Sequence, residues 1–129
     1  MPINYVFHPE LPLVVTTGSG SLTEAELLSV YKTSLADPRI SAGTPGLIDL
    51  RNVERFEVTA KGVRELAELE TKHEDKIGPA PVAVLVPSNH IYGMVRMYQT
   101  FSEMNPQSVR VFQEFSGVED WLGVSVPAD

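Results

Sequence analysis

A chain of 129 residues with 43% hydrophobic content is long enough for one compact domain that buries well over half of its unfolded surface. It has no cysteine, which excludes disulfides, thiolate nucleophiles and thiolate metal sites, and its formal charge of −7 repels a phosphate backbone, so a nucleic-acid partner is not expected. The opening MPINYVFHPE shows neither a basic n-region nor an apolar h-region, and no run of about 18 apolar residues occurs. The expectation is a cytoplasmic protein without a membrane span, folded as a single domain over residues 1–125 with a loose tail at 126–129.

Two short apolar runs, Tyr5-Val6-Phe7 and Leu13-Val14-Val15, flank the turn-rich HPELP and predict an antiparallel pair. The first helix starts at a capping box, Thr23 with Glu26, supported by a Leu22/Leu27 staple, and Asp37-Pro38 ends it. Gly46 to Leu50 is nearly continuous in apolar character, as expected of a strand buried on both faces, and the polar run after it predicts a loop. A second helix is predicted from about Thr59 to Lys76, with Val63, Leu66, Ala67 and Leu69 facing inward and Gly78-Pro79 as its stop. Pro81 to Val86 then forms a buried strand. Ser88 caps a third helix on which Ile91, Met94, Val95, Tyr98 and Phe101 recur at helical spacing. Val109 to Phe112 supplies the last strand, and Ser116 with Glu119 caps a short terminal helix. The order ββαβαβαβα predicts an α/β fold, a small mixed sheet of about five strands, largely parallel through right-handed crossovers, with the second to fourth helices covering the last three strands.

The element order, with LTEAELL opening the first helix, GLIDLRNV, HIYGMVRMYQTF and the closing FSGVEDWL, resembles the anti-sigma-factor antagonist superfamily, STAS, and most closely its bacterial SpoIIAA-like branch. That resemblance implies a SpoIIAA-like fold and a non-enzymatic regulatory or protein-interaction module, with a homodimer and a protein partner as further expectations. In the classical antagonists a serine at the start of the second helix is phosphorylated by a partner kinase. Val58 stands in that place here and Thr59 is the nearest hydroxyl, which makes Thr59 the candidate phosphosite. The same fold class also resembles CRAL-TRIO lipid carriers, which implies the alternative of a carrier or sensor for a small anionic or lipid-like ligand.

The charge distribution and the helix starts nominate the other site residues. Residues 51–64 hold Arg51, Arg55, Lys61 and Arg64 against Glu54 and Glu57, a local charge of +2 in an acidic chain, and residues 79–102 add Arg96 with no carboxylate. Partner or ligand binding is therefore expected at Arg51, Asn52, Thr59, Lys61 and Arg64, and at the start of the third helix through Ser88, His90, Tyr92 and Arg96, where free N–H groups face no acidic side chain. Thr59 also has a purely structural role open to it as an N-cap. His8, His73 and His90 are too scattered to hold a metal, so neither a metal nor another cofactor is expected. A hydrolase built on Ser88, His90 and Asp49 is the weakest reading, because no Gly-x-Ser-x-Gly elbow occurs.

Overall fold

The computed structural model describes residues 2–87 and 89–127. In chain order these form β1 (Ile3–His8), β2 (Leu13–Thr23), α1 (Glu24–Leu35), β3 (Gly46–Glu57), α2 (Ala60–Lys72), α3 (Glu74–Ile77), β4 (Pro81–Leu85), α4 (Asn89–Phe101), β5 (Ser108–Phe112) and α5 (Val118–Leu122). The five strands make one mixed sheet in sequential order, with β1 antiparallel to β2 and the remaining neighbours parallel. Each parallel step moves in the same direction across the sheet. Right-handed crossovers therefore place α1, α2 and α4 on the same face.

Strand alternation divides the core in two. Leu50, Val82, Val84 and Val86 point toward the three long helices and meet Val63, Leu66, Ile91, Val95 and Tyr98. Leu47, Ala83, Leu85 and Phe112 point to the opposite face, which is covered by α5 through Val118 and Leu122. The terminal helix thus lies on the face opposite α2 and α4. Trp121 Nε1 donates to Val82 O at 3.1 Å and fixes α5 there. The cap expected from Ser116 is absent, since Gly117 is the N-cap residue and makes no side-chain cap bond. Glu119 Oε2 instead accepts from the Val126 N–H at 2.7 Å, and Val126 packs against this second core.

Two boundaries differ from the sequence expectation. The polar run after Leu50 is strand, because β3 continues to Glu57 alongside a β2 that itself reaches Thr23. Between the Thr17/Asp49 and Ser21/Arg55 pairs, β3 carries two extra residues at two register shifts, so its inward positions fall at Leu50, Val53 and Phe56. Bulges interrupt alternation in this way, and the resulting three-residue spacing imitates neither a strand nor a loop. Glycine permits it on the β2 side. A side chain at Gly18 would meet Leu50 and Val53 at 3.2 Å each, and Gly20 has a φ of +63°. The second difference is a break in the second helix at His73 (φ −117°, ψ 27°), which separates α2 from the one-turn α3.

Candidate functional site

The residues nominated from sequence fall in two separate places. Arg51 and Asn52 are exposed on β3, Thr59 is the N-cap of α2, and Lys61 and Arg64 lie in its first turns. Arg51 makes a two-pronged bond to Asp49 (Nε–Oδ1 3.0 Å, Nη2–Oδ2 2.8 Å), Arg55 approaches Glu57 at 3.8 Å, and Lys61 approaches Glu65 at 3.9 Å. Burial raises the Asp49 pKa, but the hydrogen bonds from Arg51 outweigh it and hold the carboxyl below its ordinary value. Arg64 stacks on Phe101 of α4 at 5.2 Å. The basic segment is largely compensated by its own neighbours.

Tyr92 and Arg96 lie on the far side of α4, turned toward β5, whereas Met94, Tyr98 and Phe101 turn toward α2. The fold therefore does not bring the 51–64 cations and Arg96 together. Ser88 lies outside the described residues, and His90 is exposed at the start of α4. Asp49, the third group of the hydrolase reading, is bound to Arg51.

At the start of α2, Thr59 caps as expected, its Oγ1 accepting from the Gly62 N–H at 3.2 Å. The same Oγ1 also donates to Glu24 Oε1 at 2.7 Å, and the Thr59 N–H reaches that oxygen at 2.8 Å. Glu24 opens α1, but its carboxylate serves the N-terminus of α2, which has no acidic residue of its own in its first turn. The Thr59 hydrogen bonds lower the Glu24 pKa. Gly62 makes this approach possible, because a Cβ there would lie 2.1 Å from Glu24 Oε1. An anion thus already occupies the place where a phosphate on Thr59 would project.

Beneath α1 lies a cavity of about 100 Å³. Its walls are Leu27, Val30, Tyr31 and Leu35 of α1, Val14, Ile48 and Val82 of the sheet, and Ile40, Leu66 and Ile77. No α1 residue is fully buried: Leu27, Leu28, Val30 and Tyr31 pack partly buried against the core, with the Tyr31 hydroxyl enclosed beside Glu70, and the helix leaves the space between them unfilled. A smaller cavity of about 40 Å³, under α2 and α4, shares Leu27, Ile48 and Leu66 with the first. The larger one sits at the N-terminal ends of the parallel strands, near Val14, Gly46 and Val82, opposite the strand ends where sheets of this class usually bind ligands. Lys76 of α3 lines it and donates from Nζ to the carbonyls of Asp37 (2.6 Å) and Ile40 (2.5 Å). Among the described residues no carboxylate pairs with Lys76.

Tyr31 links this cavity to a buried acid. Its hydroxyl donates to Glu70 Oε2, as does that of Tyr98 at 2.6 Å, and Glu70 is entirely enclosed. Ser102 and Gln107 stand close enough to the carboxyl to lower its pKa, yet Glu70 Oε1, Ser102 Oγ and both Gln107 side-chain atoms close no hydrogen bond. Burial dominates and raises the Glu70 pKa from 4.5 to about 7, against the opposing hydrogen bonds. Burial, and then the charge of Glu70, hold both tyrosines well above the ordinary phenol value. Sequence reasoning missed Glu70, although a signal existed. Val63, Leu66 and Ala67 begin a stripe whose next member, seven residues after Val63, is Glu70, whereas Leu69 is only half-buried.

Comparison with known proteins places the architecture. No family model and no curated protein matches the chain. A crystal structure of an uncharacterized protein of the DUF3478 family with a SpoIIAA-like fold, from Shewanella loihica PV-4, superposes with a TM-score of 0.57 over 93% of this chain and 91% of that one, at 18% identity. The chain has a SpoIIAA-like fold. That likeness concerns the fold alone, so function rests on the residues above. Among the described residues no helix is long and apolar enough to cross a membrane, and no three His, Asp or Glu side chains group as metal ligands.

Proposed function

We propose that this chain is a non-enzymatic regulatory module that senses a small amphipathic anion, held with its apolar end beneath α1 and its charge at Lys76. The observation that carries this reading is the apolar cavity bridged by a helix whose side chains are mostly only partly buried and bordered by a lysine that, among the described residues, has no carboxylate partner. Magnitudes set the ligand class. A cavity of about 150 Å³ accepts benzene, so the roughly 100 Å³ here admits a chain of about four carbons. Burying about four methylenes at about 0.8 kcal/mol each gives about 3 kcal/mol. That is enough for millimolar binding once the carboxylate–lysine contact is added.

Pentanoate is the direct probe. Titrated at millimolar concentration into methyl-labelled protein, it shifts the methyl resonances of Leu27, Ile48 and Leu66, and pentanol binds more weakly. Val30→Phe, which fills the cavity, removes the response, and Lys76→Met removes the preference for acid over alcohol. Unmoved methyl signals in the wild-type protein, or equal responses in the Val30→Phe variant, overturn the assignment.

A further inference from the structure

A second site stands apart from the cavity, along the free edge of the sheet. Among the described residues β5 pairs with β4 alone. The Ser108 N–H donates to Ala80 O and Phe112 O accepts from the Val86 N–H, so the backbone groups of residues 108, 110 and 112 turn inward. Those of Val109 and Val111 then turn to the open edge, as alternation along a parallel strand requires. Gln99 Nε2 shows the direction by donating to Val109 O at 2.9 Å; it already occupies that acceptor, so the backbone groups left for pairing at the edge are the Val109 N–H and those of Val111. The edge lies in a groove of about 370 Å³ between α4 and α5, lined by Tyr92, Arg96, Gln99, Arg110 and Trp121.

Two cations flank this edge. Arg96, on the α4 side, stacks on Tyr92 at 5.9 Å and donates to its hydroxyl at 3.3 Å. Arg110, on the α5 side, stacks on Phe112 at 5.2 Å and Trp121 at 5.6 Å. Arg39, Arg51, Arg55 and Lys61 have carboxylate partners, whereas among the described residues Lys32, Arg64, Lys72, Lys76, Arg96 and Arg110 have none, and of these Arg96 and Arg110 line the groove at the strand edge, in a chain of charge −7. Their rings hold both guanidiniums beside the open strand.

We propose that the β5 edge binds an extended acidic segment of a partner protein, which adds to the sheet as a strand and places two consecutive acidic side chains on Arg96 and Arg110. Successive residues of an added strand point to opposite faces, which matches one cation on each side of the edge. Charge also selects the occupant. Two copies of β5 brought edge to edge would juxtapose arginines, whereas an acidic strand is attracted to the same surface.

The test uses a dye-labelled ten-residue peptide rich in Val and Thr with a central Asp-Glu pair, followed by fluorescence anisotropy against the full chain. Expected are saturable, salt-sensitive binding, a loss of about tenfold on changing the pair to Asn-Gln, and a similar loss in the protein carrying Arg96→Gln and Arg110→Gln, the combined effect of two exposed charge pairs. N-methylation of the peptide amides that face β5 abolishes binding, while Lys76→Met leaves it unchanged. Equal binding of the acidic and neutral peptides, or insensitivity to N-methylation, overturns the proposal. So does displacement of the peptide by millimolar inorganic phosphate as effectively as by unlabelled peptide, or self-association of the chain that disappears in the double variant.

Discussion

Glu70→Gln isolates the buried acid with little change in shape. Glu70 is enclosed, receives two tyrosine hydroxyls on one oxygen, and faces no cation among the described residues. Its pKa is raised from 4.5 to about 7, so between these values the folded state binds more protons than the unfolded chain. Stability from this group is therefore fully present below pH 4.5 and is lost as pH rises through about 7. A shift of that size corresponds to about 3 kcal/mol, at about 1.4 kcal/mol per pKa unit.

Glutamine has no such titration, and its amide carbonyl still accepts from Tyr31 and Tyr98. Other carboxylates titrate equally in both proteins, so the difference between variant and wild type removes them. Measured by urea denaturation from pH 4 to pH 8.5, the stability of Glu70→Gln relative to wild type rises by about 3 kcal/mol across the range, with its midpoint above pH 5. For 129 residues at about 2.1 cal/mol/K each, the same change moves Tm by about 11 °C. A pH-independent difference refutes the reasoning, and a difference that falls with pH reverses it.

Tyr98→Phe removes one of the two hydroxyl donors to Glu70 and costs about 2 kcal/mol at pH 8, where the acid is ionised, but about 1 kcal/mol at pH 5; parallel urea titrations at the two pH values measure it. Gly62→Ala in the wild type displaces the Glu24 carboxylate from Thr59 and brings no gain in stability. In a Glu24→Ala background the same substitution stabilises by about 1 kcal/mol through helix propensity alone, and a thermal double-mutant cycle exposes the coupling. Thr59→Glu sets a second carboxylate against Glu24 and lowers Tm, an effect that Glu24→Gln reverses. Native-state hydrogen exchange finds α1 opening at lower free energy than α2 and α4, which bury several residues each, and saturating pentanoate narrows that gap.

The sequence carried the local chemistry of the fold well. The capping box at Thr23 and Glu26 and the cap at Thr59 both form, and the apolar runs become the expected strands. These signals are legible because caps and strand cores depend on residues within one or two turns of each other. The far half of β3 was not legible, because its inward residues follow two bulges and lie at three-residue spacing. The role of Glu24 escaped for another reason. Its partner Thr59 is 35 residues away, and an acid in the first turn of a helix is already accounted for by that helix's own dipole.

The candidate site was the least legible part, since it depends on what α1 leaves unfilled. A cavity has no sequence signature when each lining residue also makes an acceptable core residue. What the chain does show is how α1 is held: Glu24 binds Thr59 near its start, Tyr31 binds Glu70, and Tyr5 and Lys76 bind Asp37 just beyond its end. These ties are directional and join α1 to α2, α3 and β1. A helix held by directional polar bonds and by the partly buried Leu27, Leu28 and Val30 over unfilled apolar space yields more readily than one fixed by fully interlocked side chains, because a ligand that enters supplies the missing contacts as the helix adjusts. The strand N-terminal location follows from the same construction. At the opposite end, Leu22, Val53, Val58 and Val63 close the core, and Glu24 already complements the N-terminus of α2, so the usual ligand position in this sheet is filled by the protein itself.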